Sequence, residues 1–316
     1  MEPNYAHDVF APPSFTFRQL SYLMAAAEEG TIVAAARRMH VSPSAMSDAI
    51  TELERLVGTR LCVRRKAQGL TLTSAGIRVV EEARGLLRGA QELDIALQGG
   101  PDELVGPLAI GCFPTLAPTI LPPLLSAFRA EHPRLDIEIM EADQNQLVEH
   151  LHSGRIDVAF AYDVQLPGSV RRESLYELPP HIVVAANHPL AGAGPVHLAG
   201  LAGEDFIMLD SSPSSDHTLS TFAAHGVVPR IRHRTGNPEV VRTLVGRGLG
   251  YGMFIQRHAD GMGAKGFPLA VVEVAPPVAA LAVQVVWSSA ISPTRRARAV
   301  IEFARRVEWP GSKAQD

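Results

Sequence analysis

The sequence predicts a multidomain chain: an all-α helix-turn-helix head with a two-stranded wing, a long linker helix, then an α/β domain of two subdomains. Three observations predict it. Apolar residues between Phe17 and Val57 recur at helical spacing in three short blocks separated by cap and turn residues. Ser74 to Gln98 carries one long helical pattern that stops at Gly99-Gly100-Pro101-Asp102. Beyond that break, short apolar runs alternate with helical patterns as in βαβ units, which imply mainly parallel sheets covered by helices.

A length of 316 residues suits two or three domains, and 46% hydrophobic with 20% charged residues suits packed cores rather than disorder. The net charge of −4 gives no whole-chain basic signal, so any contact with a polyanion rests on one local face. The two cysteines, Cys62 and Cys112, fall in different predicted domains. That excludes a disulfide framework and fits a reducing cytosol. Residues 1–14 are expected to be a disordered tail, not a signal peptide, since Met1 to Pro13 has no apolar core. No apolar run of about 18 residues is present, so no membrane partner is expected and the localisation is cytoplasmic.

In the head, residues 15–73, Phe17, Leu20, Met24 and Ala27 mark the first helix, and Gly30 ends it. Thr31 N-caps a second helix, Ile32 to Met39, whose alanines permit close helix approach. After the turn His40-Val41, Ser42 caps a third helix with Pro43 at its first position and Met46, Ile50 and Leu53 on the buried face; it stops at Gly58. Leu61-Cys62-Val63 and Leu70-Thr71-Leu72 flank Arg64-Arg65-Lys66-Ala67-Gln68-Gly69 and read as a wing with a basic tip.

In the linker helix, residues 74–98, Val79, Ala83, Leu86, Ala90, Leu93 and Leu97 form a heptad seam. So narrow a seam asks for a partner helix, and homodimerisation is expected; the alternative is an amphipathic helix lying on its own domain. A hinge at 99–106 leads to a domain over 107–310 with strands at Leu108–Gly111, Leu135–Met140, Val158–Ala161, His181–Ala185, Phe206–Leu209, Ile231–Arg234, Gly252–Ile255, Ala270–Val274 and Ala282–Trp287. The first subdomain is expected at 107–164 and 269–310, the second at 165–268.

Several of these residues resemble one family. Phe17-Arg18-Gln19-Leu20, Ala34-Ala35-Ala36, Val41 to Ser47, Ile50, Leu53-Glu54, Gly58, Leu61, Arg64 and Leu72-Thr73-Ser74-Ala75-Gly76 are similar to the LysR-type transcriptional regulators. Weaker marks continue the likeness: Leu121-Pro122, His132-Pro133, Gly154 to Ala159, His188-Pro189-Leu190 and Val245 to Gly252. The resemblance implies a winged helix-turn-helix that binds double-stranded DNA, homotetramers, and an effector domain of the type 2 periplasmic-binding-protein kind. That family commonly holds Gln, Pro and a basic residue where this chain has Pro43, Ser44 and Asp48.

Given that fold, the third helix enters the major groove by its N-terminal turn. Ser42, Pro43, Ser44, Ser47 and Asp48 are the candidate contacts there, and Arg64, Arg65 and Lys66 the candidate phosphate contacts. Ser42 has the plainer alternative of a cap, and Asp48 that of a solvated side chain. Ligands of open α/β sheets sit beyond strand carboxyl ends, which selects Cys112, Pro114, Thr115, Asp143, Tyr162, Ser211, Ser212, Thr235 and Asn237 as effector-binding candidates. A small polar metabolite suits them, although each is also a residue type that turns and caps favour. Cys112 is read as a small buried hydrophobe rather than a redox sensor.

Catalytic and cofactor motifs fail. The glycines at 246, 248, 250 and 252 do not fit G-x-G-x-x-G, and His150 and His152 diverge on a helix. No cofactor, metal site or catalytic set is expected, which leaves a transporter's solute-binding protein or an enzyme of similar fold as distant alternatives.

Overall fold

The computed structural model describes residues 12–65, 69–98, 103–257 and 267–309. Residues 1–11 of the expected tail, Lys66 of the wing tip and residues 99–102 of the expected hinge lie outside them. The chain divides into two compact units, residues 1–97 and 98–316.

The first unit contains α1 (Phe17–Glu29), α2 (Ile32–Arg38), α3 (Pro43–Val57), β1 (Cys62–Arg65), β2 (Gly69–Leu72) and α4 (Ser74–Gln98). Local chemistry punctuates the helices as expected. Gly30 and Gly58 take the left-handed conformation at φ 67° and 70°, where a Cβ would be strained. Thr31 accepts from the Ala34 N–H and Ser42 from the Ala45 N–H, each capping a helix start. Thr16 and Gln19 add a reciprocal capping box at α1.

The core joins Leu20, Leu23 and Ala26 of α1 to Ala35 and Ala36 of α2 and to Met46, Ile50 and Leu53 of α3. The buried stripe of α1 therefore differs from the expected one. Phe17 is half-exposed, because the first turn has no preceding turn beneath it, and Leu23 takes the central position. The strands β1 and β2 pair antiparallel from Cys62–Leu72 to Arg65–Gly69.

The heptad seam of α4 splits. Val79 and Ala83 pack into the core of this same unit, as the amphipathic alternative requires. Leu86 and Leu93 remain 50% and 66% exposed.

In the second unit, lobe I holds a five-stranded sheet in the order β4-β3-β5-β13-β6. Its strands are β3 (Gly106–Cys112), β4 (Leu135–Glu141), β5 (Val158–Tyr162), β6 (Val170–Leu178) and β13 (Leu281–Ser288). They are covered by α5 (Ala117–Glu131), α6 (Gln144–His152) and α9 (Arg295–Arg306). In lobe II, β11 (Gly252–Phe254), β7 (His181–Ala185), β12 (Leu269–Ala275) and β8 (Val196–His197) form one sheet, with β9 (Asp205–Leu209) and β10 (Arg230–Thr235) as a further pair. A Phe206–Tyr251 bridge joins that pair to the rest. The helices of lobe II are α7 (Ser214–Ala224), α8 (Pro238–Gly246) and a short 3-10 turn at Leu198–Leu201.

Two expectations need correction. The sheets are mixed, because β13 runs antiparallel to both β5 and β6, and β7 antiparallel to both β11 and β12. The lobe boundaries move as well. The unexpected strand β6 extends lobe I to Leu178, and β12, placed in lobe I by the sequence reading, pairs with β7 in lobe II. The chain thus crosses at 179–180 and 276–280, and each crossing starts with two prolines, which cannot donate to a ladder.

Candidate nucleic-acid interface and effector cleft

The candidate reading face of the head is the start of α3. Ser42, Pro43, Ser44, Ala45 and Asp48 are exposed, while Met46, Ile50 and Leu53 point inward. Ser42 is a cap and something more: its hydroxyl also lies 3.1 Å from that of Ser44. Ser47 is half-buried, and its carbonyl accepts from the Thr51 hydroxyl at 2.9 Å. Arg64 and Arg65 occupy the end of β1.

The wing is held to α3 by a carboxylate. Glu54 Oε1 accepts from the Leu61 and Cys62 N–H groups at 2.8 and 3.1 Å. Thr73 then ties the wing to α4: its hydroxyl donates to the Arg60 carbonyl at 2.8 Å and accepts from the Gly76 N–H at 3.0 Å. Glu54 and Thr73 belong to the motif that the sequence flagged, and both act by positioning the wing.

In the second unit, a cleft of about 870 Å³ separates α5 and β4 of lobe I from the start of α8 in lobe II. Of the nine predicted effector residues, Pro114 and Asn237 line it from opposite lobes. Thr115 and Tyr162 meet behind Pro114, their hydroxyls 2.9 Å apart and buried. Burial pushes the Tyr162 phenol up, so it stays protonated. Cys112 is fully buried, its S–H directed at the Phe113 carbonyl, and burial pushes its thiol well above the ordinary value.

The remaining candidates serve the backbone. Asp143 caps α6 by accepting from the Gln146 N–H, and Asn237 caps α8 by accepting from Glu239 and Val240. Thr235 Oγ1 accepts from the Asn237 N–H. The Ser211 carbonyl accepts from Ser215, and that of Ser212 accepts from the Gln144 N–H, bridging the lobes at 3.4 Å.

Buried polar groups missed by the sequence reading join this seam. Gln256 of lobe II is 3% exposed and reaches lobe I, accepting from Tyr176 OH at 3.4 Å and Thr119 Oγ1 at 3.5 Å. Among the described residues its Nε2 has no hydrogen-bond partner, nor has Oε1 of the buried Gln144, whose Nε2 donates to the Val164 carbonyl. Arg242, 4% exposed, bonds Glu239 at 2.7 Å and lies 4.4 Å over the Phe254 ring. An arginine beside Val241 and Val245 on the inward face of α8 was the available signal for Arg242, whereas Gln256, between Ile255 and Arg257, gave none. A second hollow, about 350 Å³ between α5 and α9, is lined by opposed charges such as Glu131 and Arg298 and lies within lobe I alone.

A winged helix-turn-helix joined to two α/β lobes around a cleft defines a regulator that couples a nucleic-acid reader to a small-molecule receptor. The comparisons agree. The description "Bacterial regulatory helix-turn-helix protein, lysR family" matches residues 17–77, and "LysR substrate binding domain" matches residues 101–309. The hydrogen peroxide-inducible genes activator of Pectobacterium carotovorum is 32% identical over 235 residues, 74% of this chain and 77% of that protein. The solved C-terminal domain of a probable LysR family regulator from Rhodococcus sp. RHA1 is 42% identical, covers 64% of this chain and 99% of its own, and has a TM-score of 0.61. HinK, a LysR family regulator from Pseudomonas aeruginosa, is 32% identical over 92% of this chain and 98% of its own, also with a TM-score of 0.61. The chain belongs to the LysR family of transcriptional regulators, with a DNA-binding helix-turn-helix and an effector-binding domain. Such regulators are not enzymes, and no described helix is long and apolar enough to cross a membrane.

Proposed function

We propose that this regulator reads operator bases with Ser44 and Asp48 of α3, takes phosphates with Ser42, Arg64, Arg65 and Lys66, and answers to a small polar metabolite held in the cleft between its lobes. One observation carries the DNA half: the first two turns of α3 present only exposed polar or small side chains on the face opposite Met46 and Ile50. Orphan N–H groups at that helix start favour an anion, and the adjoining wing supplies cations in sequence with it. Protomers pair through the outer half of α4, where Leu86 and Leu93 are exposed, and pairs of dimers suit the family. The cytoplasm is the compartment for such work.

The effector half rests on the seam behind Pro114, where the Thr115 and Tyr162 hydroxyls meet and the buried Gln256 Nε2 is left over for a ligand acceptor. The Pectobacterium relative is named for hydrogen peroxide. In this chain both cysteines are buried and lie in separate units, and Cys112 is held as a thiol, whereas the thiolate is the reactive form. A signal read by oxidising these two cysteines to a disulfide does not fit; a reversibly bound metabolite does. Binding of the full chain to a promoter fragment from its own gene neighbourhood, with neighbouring-pathway metabolites added, tests the reading. Specific binding altered by one metabolite supports it, and equal affinity for every duplex sinks it.

A further inference from the structure

The outward face of α3 carries an arrangement of charge with a consequence for operator sequence. At 3.6 residues per turn, Ser44, Asp48, Thr51 and Arg55 fall on one stripe, and Asp48, in the second turn, lies roughly opposite the inward Met46, Ile50 and Leu53. The N-terminal part of a recognition helix is what meets base edges in the major groove. Arg55 is the cation of that stripe, and it is engaged: its Nε and Nη2 donate to the two Glu52 oxygens at 2.8 and 2.6 Å. Thr51 donates its hydroxyl back to the Ser47 carbonyl. Asp48 is exposed, and among the described residues its carboxylate has no ion pair or hydrogen bond.

An uncompensated carboxylate facing a duplex is repelled by every phosphate. It gains only from a base-edge donor. In the major groove those donors are the adenine N6 and cytosine N4 amino groups. In an A·T pair the N6 amino group is flanked by acceptors on both sides, adenine N7 and thymine O4, which repel the second carboxylate oxygen; in a G·C pair the cytosine N4 amino group has guanine O6 on one side and only the C5–H on the other.

We propose that Asp48 is a specificity-determining residue that selects cytosine, through its N4 amino group, at one position of each operator half-site. This rests on the reading of α3 as the recognition helix, and it places an acceptor on the outward face of that helix's second turn. Asp48 also serves as a brake on random DNA, because its charge penalises every site that lacks the donor.

Selection of duplexes from a random library by the full-length protein, run beside Asp48→Asn and Asp48→Ala, tests it. The wild type enriches a motif with a cytosine whose replacement weakens binding roughly 5- to 150-fold, the range for one mismatched pair. Asp48→Asn moves that preference to adenine, which an amide engages at N6 and N7 together. Asp48→Ala erases the preference there, leaves the rest of the motif, and raises affinity for random duplex. Both substitutions are at an exposed position, so unchanged circular dichroism accompanies them. A wild-type motif kept intact by Asp48→Ala overturns the proposal while leaving the recognition helix in place. Failure of the wild type to enrich any motif overturns the recognition-helix reading as well.

Discussion

At the scale of single residues, three positions turn packing into measurable consequences. A Cβ on Gly76 would lie 1.9 Å from the Leu61 carbonyl oxygen, where α4 passes under the wing. Gly76→Ala therefore forces backbone apart and is expected to cost about 3 kcal/mol or more. Gly85, in the same helix with open space around it, makes the control: Gly85→Ala should stabilise by about 0.5–1 kcal/mol. Thermal unfolding of the two variants should shift in opposite directions, and a shared direction would refute the contact. His181 supplies a pH dependence. Burial first, then the charges of Arg257 and Arg242, lower its pKa from 6.5 to about 3. As pH falls below 6.5 the unfolded chain binds a proton at this site that the folded chain refuses, so stability is lost between pH 6.5 and about 3. From pH 7 to 5 this one group removes about 2 kcal/mol. Urea midpoints at the two pH values should show a fall that His181→Asn reduces; an equal fall in the variant would mean other groups carry it. Residues of this kind were the hardest to read from sequence. A cap such as Ser42 acts within three residues, whereas Gln256 owes its role to Tyr176 and Thr119, brought from distant parts of the chain.

Elements show the same division between local and distant causes. The three head helices were legible because their ends are set by neighbours in sequence: Gly30, Thr31, Ser42 with Pro43, and Gly58. The strand β6 was not. Its outward residues are charged, only Val170, Tyr176 and Leu178 are buried, and it exists by pairing with β13 more than a hundred residues later. An edge strand protected by charge gives little apolar signal. The wing depends on Glu54. Glu54→Ala removes the carboxylate that accepts from the Leu61 and Cys62 N–H groups, at a cost of about 1–3 kcal/mol, and hydrogen exchange at those amides should quicken. Unchanged exchange would place their protection elsewhere. The linker helix makes the opposite case, since its seam was visible but its use was divided. Val79 and Ala83 serve the head, while Leu86 and Leu93 stay exposed. Leu86→Asp with Leu93→Asp should sediment as a monomer while keeping the head's thermal transition; a persisting dimer would move the interface off α4.

For the whole molecule, the chain's two units match the two tasks of its family. The head's chemistry was read from contiguous residues and needs only one helix, its cap and the wing. The candidate cleft residues are divided by the structure. Pro114 and Asn237 line the cleft and Thr115 meets Tyr162, yet Asp143, Asn237 and Thr235 spend their side-chain acceptors on nearby amides. The lobes themselves were misdrawn at both crossings, because sheet membership is decided by pairing across the fold. The claim that matters most is that base reading and phosphate binding are separated between α3 and the wing. Titrating the full-length protein against a selected operator and a random duplex over a range of salt concentrations tests it directly, with Arg64→Ala beside Asp48→Ala. Arg64→Ala should weaken both complexes alike and reduce the salt slope by about one, whereas Asp48→Ala should change the operator-to-random ratio with the slope of the operator complex nearly kept. Equal effects of the two substitutions on ratio and slope would contradict the account.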